Sequence, residues 1–100
     1  MTKVTLAYQI IKRVDFSKDY DSIEQQLKPI IENKISDTDL VDAIKGLFED
    51  LQAKRNVRKE RLELFVYDIN DINYILYDGK NEKLKKLEYE IGLIVDSMSE

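Results

Sequence analysis

Apolar side chains recur at intervals of three and four residues along nearly all of this chain, and few residues interrupt them. The clearest case is the segment from Ser36 to Gln52. There Leu40, Val41, Ile44, Leu47, Phe48 and Leu51 share one side of a helix, while Ser36 or Asp37 stands at the cap position. Asp39 suits the positive end of that helix, and Gly46 within it suggests a place where another helix comes close. With one Pro and three Gly in 100 residues, obligatory turns are few, which favours helices over many short strands.

The same spacing continues on both sides. Val4, Ala7, Tyr8, Ile11 and Val14 fit one helical face, although Val4, Leu6, Tyr8 and Ile10 also alternate as a strand would. Helix is favoured, because no other strong strand offers itself as a partner. Asp21 followed by Glu24 has the form of a helix start, with Ile23, Leu27, Ile30, Ile31 and Ile35 as its buried stripe and Pro29 as a kink or restart. Asn81 caps a last helix with Leu84, Leu87, Ile91, Ile94, Val95 and Met98 inward.

Residues 62–78 are the contested segment. Leu62, Phe65, Val66, Ile69, Ile72 and Leu76 form a helical stripe, and Gly79 stands where a left-handed terminal residue belongs. The β-branched and aromatic content also allows a hairpin turning at Ile69-Asn70-Asp71. Five repeats of the helical spacing outweigh local composition. The expected fold is therefore all-α, a single domain over residues 1–100 built as a compact antiparallel bundle of four to five helices, with an α+β fold containing a hairpin at 62–78 as the alternative.

Neither Cys nor His is present. This removes disulfides, thiolate and imidazole catalysis, and sulfur- or imidazole-bound metals. The trios Asp37, Asp39, Asp42 and Asp68, Asp71, Asp78 lack the spacing of a calcium loop and read as caps or solvated charge. No catalytic, cofactor-binding or metal-ligating residue is assigned, and the chain reads as non-enzymatic. Apolar runs are far short of the roughly 18 to 20 residues that span a bilayer, and the N-terminus lacks signal-peptide form, so no membrane partner and a cytoplasmic location are expected.

Two surfaces remain. On a helix, Tyr67, Asp71, Tyr74 and Asp78 line the side opposite the core stripe, flanked by Leu64 and Ile75. Exposed tyrosines with acidic neighbours suit a protein partner or a second copy of the chain. The segment 52–61 contains the other surface: Lys54, Arg55, Arg58, Lys59 and Arg61 with one Glu, leaving 11 basic against 19 acidic residues in the other ninety.

The stretch reads first as a solvated connection between two helices, with Lys54 and Arg55 complementing the negative end of the helix before it. Its order, basic stretch then apolar helix, is also that of helices that enter a DNA groove, but the stripe stops at Gly79 after little more than two heptads. The favoured expectation is a protein-interaction module, a small acidic regulator, inhibitor or immunity-type protein docking on a larger target through the Tyr/Asp side, with homodimerisation as a companion property. The second is a DNA- or RNA-binding regulator acting through residues 54–61. The third is an acidic mimic of nucleic acid that blocks a nucleic-acid-binding enzyme.

Overall fold

A computed structural model describes residues 1–99 of the chain, and within them every regular element is helical. The five helices are α1 (Lys3–Lys12), α2 (Tyr20–Glu32), α3 (Asp37–Ala53), α4 (Lys59–Tyr77) and α5 (Glu82–Asp96). The hairpin alternative at 62–78 is overturned, because α4 runs through Ile69-Asn70-Asp71 without a turn. The alternation near the N-terminus is likewise helical: Thr2 Oγ1 caps α1 by accepting the Thr5 N–H at 3.0 Å, and Ala7 and Ile11 are buried.

Local rules explain most of the boundaries. Ser36 accepts the Asp39 N–H at 3.1 Å and Asn81 accepts the Leu84 N–H at 3.0 Å, each satisfying a backbone donor that the first helical turn leaves free. The start of α2 differs from the sequence reading. Asp19, not Asp21, accepts the Ser22 N–H at 2.9 Å, and Asp21 lies in the first turn. Pro29 neither breaks nor restarts α2; the carbonyl it deprives of a donor belongs to Gln25, an exposed residue.

After α2 the chain turns back through Lys34, in the left-handed region at φ 53°, and Ile35 donates its N–H to Ile30 O at 3.1 Å. That reversal buries Ile35 while Ile31, at the edge of the stripe, points outward at 55% exposure. Ile94 is also turned out, a second departure from the expected core. At the end of α4, Asp78 and Gly79 are both left-handed, with φ 58° and 75°, and the Gly79 N–H reaches Asn73 O at 3.0 Å.

One cluster of buried side chains joins all five helices. It includes Leu27 and Ile30 from α2, Leu40 and Ile44 from α3, Leu62, Ile69 and Ile72 from α4, and Leu84 and Val95 from α5. The Phe48 and Phe65 rings stack across α3 and α4 with centroids 5.8 Å apart. α1 packs chiefly on α3 and α4 on α5; α2 lies against α1 and α4, and α3 also reaches α4 and α5. Thus α4 touches three other helices, yet α2 and α3, joined by the short link 33–36, do not pack on each other. The radius of gyration, 13.0 Å, is that of a 100-residue domain.

Gly46 lies under Tyr8 of α1, but a Cβ there would sit 3.8 Å from the ring, an ordinary van der Waals contact. The close approach does not require glycine. Gly46→Ala is therefore expected to stabilise the protein by about 0.5–1 kcal/mol, through a smaller entropy loss in the helix interior. Urea unfolding of the two proteins measures this difference directly.

Candidate functional site

On the outer side of α4, Tyr67 and Tyr74 are 67% and 57% exposed, and Leu64 is 55% exposed. These side chains are not part of the core, because Leu62, Phe65, Ile69 and Ile72 already occupy the inward side of the same helix. Asp78 is exposed at the end of this face and Asp71 is half-buried. Ile75, read from the sequence as a flank of the face, is half-buried and packs on the core margin.

A further residue belongs to this surface that α4 alone does not reveal. Tyr20, the first residue of α2, places its ring 5.7 Å from that of Tyr74, and its hydroxyl donates to Asp71 Oδ1 at 3.2 Å. The neighbouring Asp71 carboxylate raises the Tyr20 phenol above its ordinary range, because charge and hydrogen bond both favour the protonated form. Tyr20 is itself 54% exposed. The face is therefore a two-helix surface in which Tyr20 and Tyr74 stand beside Asp71, with Tyr67 one turn and Leu64 two turns earlier on α4.

Asp68 borders the face one turn from Asp71, half-buried. Burial pushes its carboxyl up to about 6; Arg61 opposes the shift and Asp71 adds to it. A native carboxyl raised above its unfolded value of 3.8 binds protons more tightly in the folded state. Its effect on stability is thus least harmful at low pH, and the penalty grows as pH rises from about 4 to about 6. Asp68→Asn removes the cost of burying the charge. It should stabilise the fold by about 1–2 kcal/mol at neutral pH, allowing for partial solvation, and by almost nothing near pH 4. Denaturant midpoints of both proteins at the two pH values test the difference.

The basic stretch does not continue α3. Helix α3 stops at Ala53, Lys54 is extended (φ −69°, ψ 134°), and α4 begins after Arg58. Residues 54–58 form a connection between the two helices, as the sequence suggests, with Val57 packed against the core. Lys59 and Arg61 sit in the first turn of α4. Lys54, Arg55, Arg58 and Arg61 border an open groove of about 870 Å³, while Lys59 lines a separate hollow with Val57 and Met98. Four of the five cations thus stand around one groove, and Lys59 lies apart from it.

The acidic trios are also dispersed. Asp37 accepts from Asn81 Nδ2 at 3.2 Å and from Lys83 Nζ at 3.0 Å, and both donors hold its carboxyl below the usual range. Among the described residues no group of three or more carboxylates is placed to hold a metal ion, and no helix is long and apolar enough to cross a membrane. Compared with known protein families, with curated proteins and with solved structures, the chain finds no match.

Proposed function

We propose that this protein is a non-enzymatic interaction module of the cytoplasm, a small acidic regulator or inhibitor that docks on a larger protein through the face formed by Tyr20, Leu64, Tyr67, Asp71 and Tyr74. The observation that carries this reading is the exposure of Leu64, Tyr67 and Tyr74 on the outer side of α4, whose inner side already supplies its core, with Tyr20 of α2 hydrogen-bonded to Asp71 among them. Tyrosine combines a large rigid contact area with a polar tip, and its ring attracts cations. Beside Asp71, with Asp68 and Asp78 on the same helix, such rings fit a partner that presents arginine or lysine. A guanidinium can stack on the ring and fork onto the carboxylate.

The overall charge of −4 agrees with a basic partner surface and would speed the encounter. The groove of a nucleic-acid-binding enzyme is one such surface, and displacement of the protein by duplex DNA would identify it. Direct reading of DNA or RNA through residues 54–61 is the less supported function, because the groove that four of those cations surround has no aromatic ring on which a base could stack.

The test is the double variant Tyr67→Ala with Tyr74→Ala. It should keep the helical circular dichroism and the unfolding midpoint of the parent. It should also lose about 10- to 100-fold in affinity for a partner captured from the native host, with the mass of the complex confirmed in solution. Collapse of the fold in the double variant would show that the rings are structural and would refute the reading.

A further inference from the structure

We infer that the groove at the junction of α3 and α4 is a second docking site, built to receive an acidic peptide segment that carries large apolar side chains. The inference goes beyond the Tyr/Asp face: the two surfaces meet at Leu64, but they have opposite charge and ask for different ligands.

The floor of the groove is apolar. Leu51 closes it from the last turn of α3, Val57 from the connection and Leu64 from the second turn of α4, where its side chain is left largely in water. Lys54, Arg55, Arg58 and Arg61 stand around this floor. With Glu60 and Glu63 also in the wall, the lining carries a net charge of +2 in a chain of net −4. A volume of about 870 Å³ is room for several side chains.

The cations are poorly satisfied by the protein itself. Arg58 pairs with Glu60 at 3.5 Å, but both side chains are largely exposed, at 82% and 73%, so that pair is weak and easily exchanged. Among the described residues, Lys54, Arg55 and Arg61 take part in no ion pair, although the chain contains 20 carboxylates. Arg61 is near enough to Asp68 to lower its carboxyl, yet forms no ion pair with it. Carboxylates brought by a ligand would meet guanidinium forks that are still free to pair.

The same lining disfavours nucleic acid. It contains no aromatic ring on which a base could stack. An apolar floor rewards Leu or Phe side chains and offers nothing to a sugar-phosphate chain. A peptide with acidic and apolar residues on adjoining faces uses both features, in the manner of a helix or strand laid into a groove.

The probe is a fluorescently labelled helical peptide with Leu and Phe on one face and Glu on the other, titrated by anisotropy at low salt. Polyglutamate and a duplex DNA serve as competitors. The peptide should bind the full chain, and both competitors should displace it only at concentrations at least about 10-fold higher than unlabelled peptide. Arg55→Glu with Arg61→Glu should weaken binding by about 100-fold, roughly 10-fold for each charge-assisted hydrogen bond removed and replaced by repulsion. Leu64→Ala should weaken it by about 10-fold, and Tyr89→Ala on α5 should leave it unchanged.

All these side chains are exposed, so circular dichroism is expected to report intact helices. Equal displacement by polyglutamate would mean simple charge attraction, and tighter competition by the duplex would mean a nucleic-acid site; either result overturns the inference. Absence of peptide binding, or a solution mass showing a second copy of the chain already seated in the groove, would equally overturn it.

Discussion

Asn73→Leu is expected to lower the free energy of unfolding by about 3 kcal/mol, and with it the thermal midpoint by roughly 10–20 °C. Asn73 is the one buried polar side chain among the described residues, 3% exposed on the side of α4 that meets α5. Its amide faces the backbone of Asn81: Nδ2 donates to Asn81 O at 3.2 Å, and Oδ1 accepts the Asn81 N–H at 3.0 Å. Asn81 in turn caps α5 and donates to Asp37 at the start of α3. One side chain therefore fixes the link 78–81 and, through it, the register of three helix ends. Leucine has nearly the shape of asparagine and opens little cavity, but it leaves the partly buried Asn81 N–H without an acceptor and Asn81 O with the Lys85 N–H alone. Lys83→Ala, at the exposed rim of the same network, should cost much less, because water replaces the missing ammonium. Thermal and urea unfolding of the two variants separate the buried and exposed ends of the network.

The sequence carries the helices well because the signals that define them are local. The stripes Leu40 to Leu51 and Leu84 to Val95 are inward as spaced, and Ser36 and Asn81 cap as their positions suggest. Departures arise where tertiary contacts decide. Asp19 and Asp21 are equivalent as caps by type; the choice of Asp19 brings Tyr20 into the first turn of α2, where it meets α4. Ile31 and Ile94 satisfy the spacing at the edges of their stripes, but no neighbouring helix covers them. The link at 54–58 is legible from its charge, but with no Gly or Pro in it the exact break at Lys54 is not. Tyr67, Asp71, Tyr74 and Asp78 are legible as one outward face because they lie on one helix. Tyr20 is not, since it is 51 residues from Asp71 and only the packing of α2 on α4 joins them. Asn81 shows its cap in the sequence, but the buried Asn73 amide that holds it does not show.

The sharpest separation between helix and hairpin for residues 62–78 comes from neighbouring positions on α4. Ile69→Ala should destabilise the protein by about 3–4 kcal/mol, the cost of removing a fully buried branched side chain from a core whose surroundings relax only in part. Tyr67→Ala should change stability by less than about 0.5 kcal/mol, because its ring is 67% exposed. In a hairpin turning at Ile69-Asn70-Asp71, residue 69 would lie in the turn, and its truncation would be as mild as that of an exposed Tyr67. In a helix they are about 200° apart, and a large difference is required. The contrast bears on function as well. A ring that can be removed without loss of stability belongs to a surface free to serve a partner, whereas Ile69, facing inward from a helix that packs on α2, α3 and α5, holds that surface in place. Unfolding midpoints of the two single variants therefore test the fold and the availability of the Tyr/Asp face together.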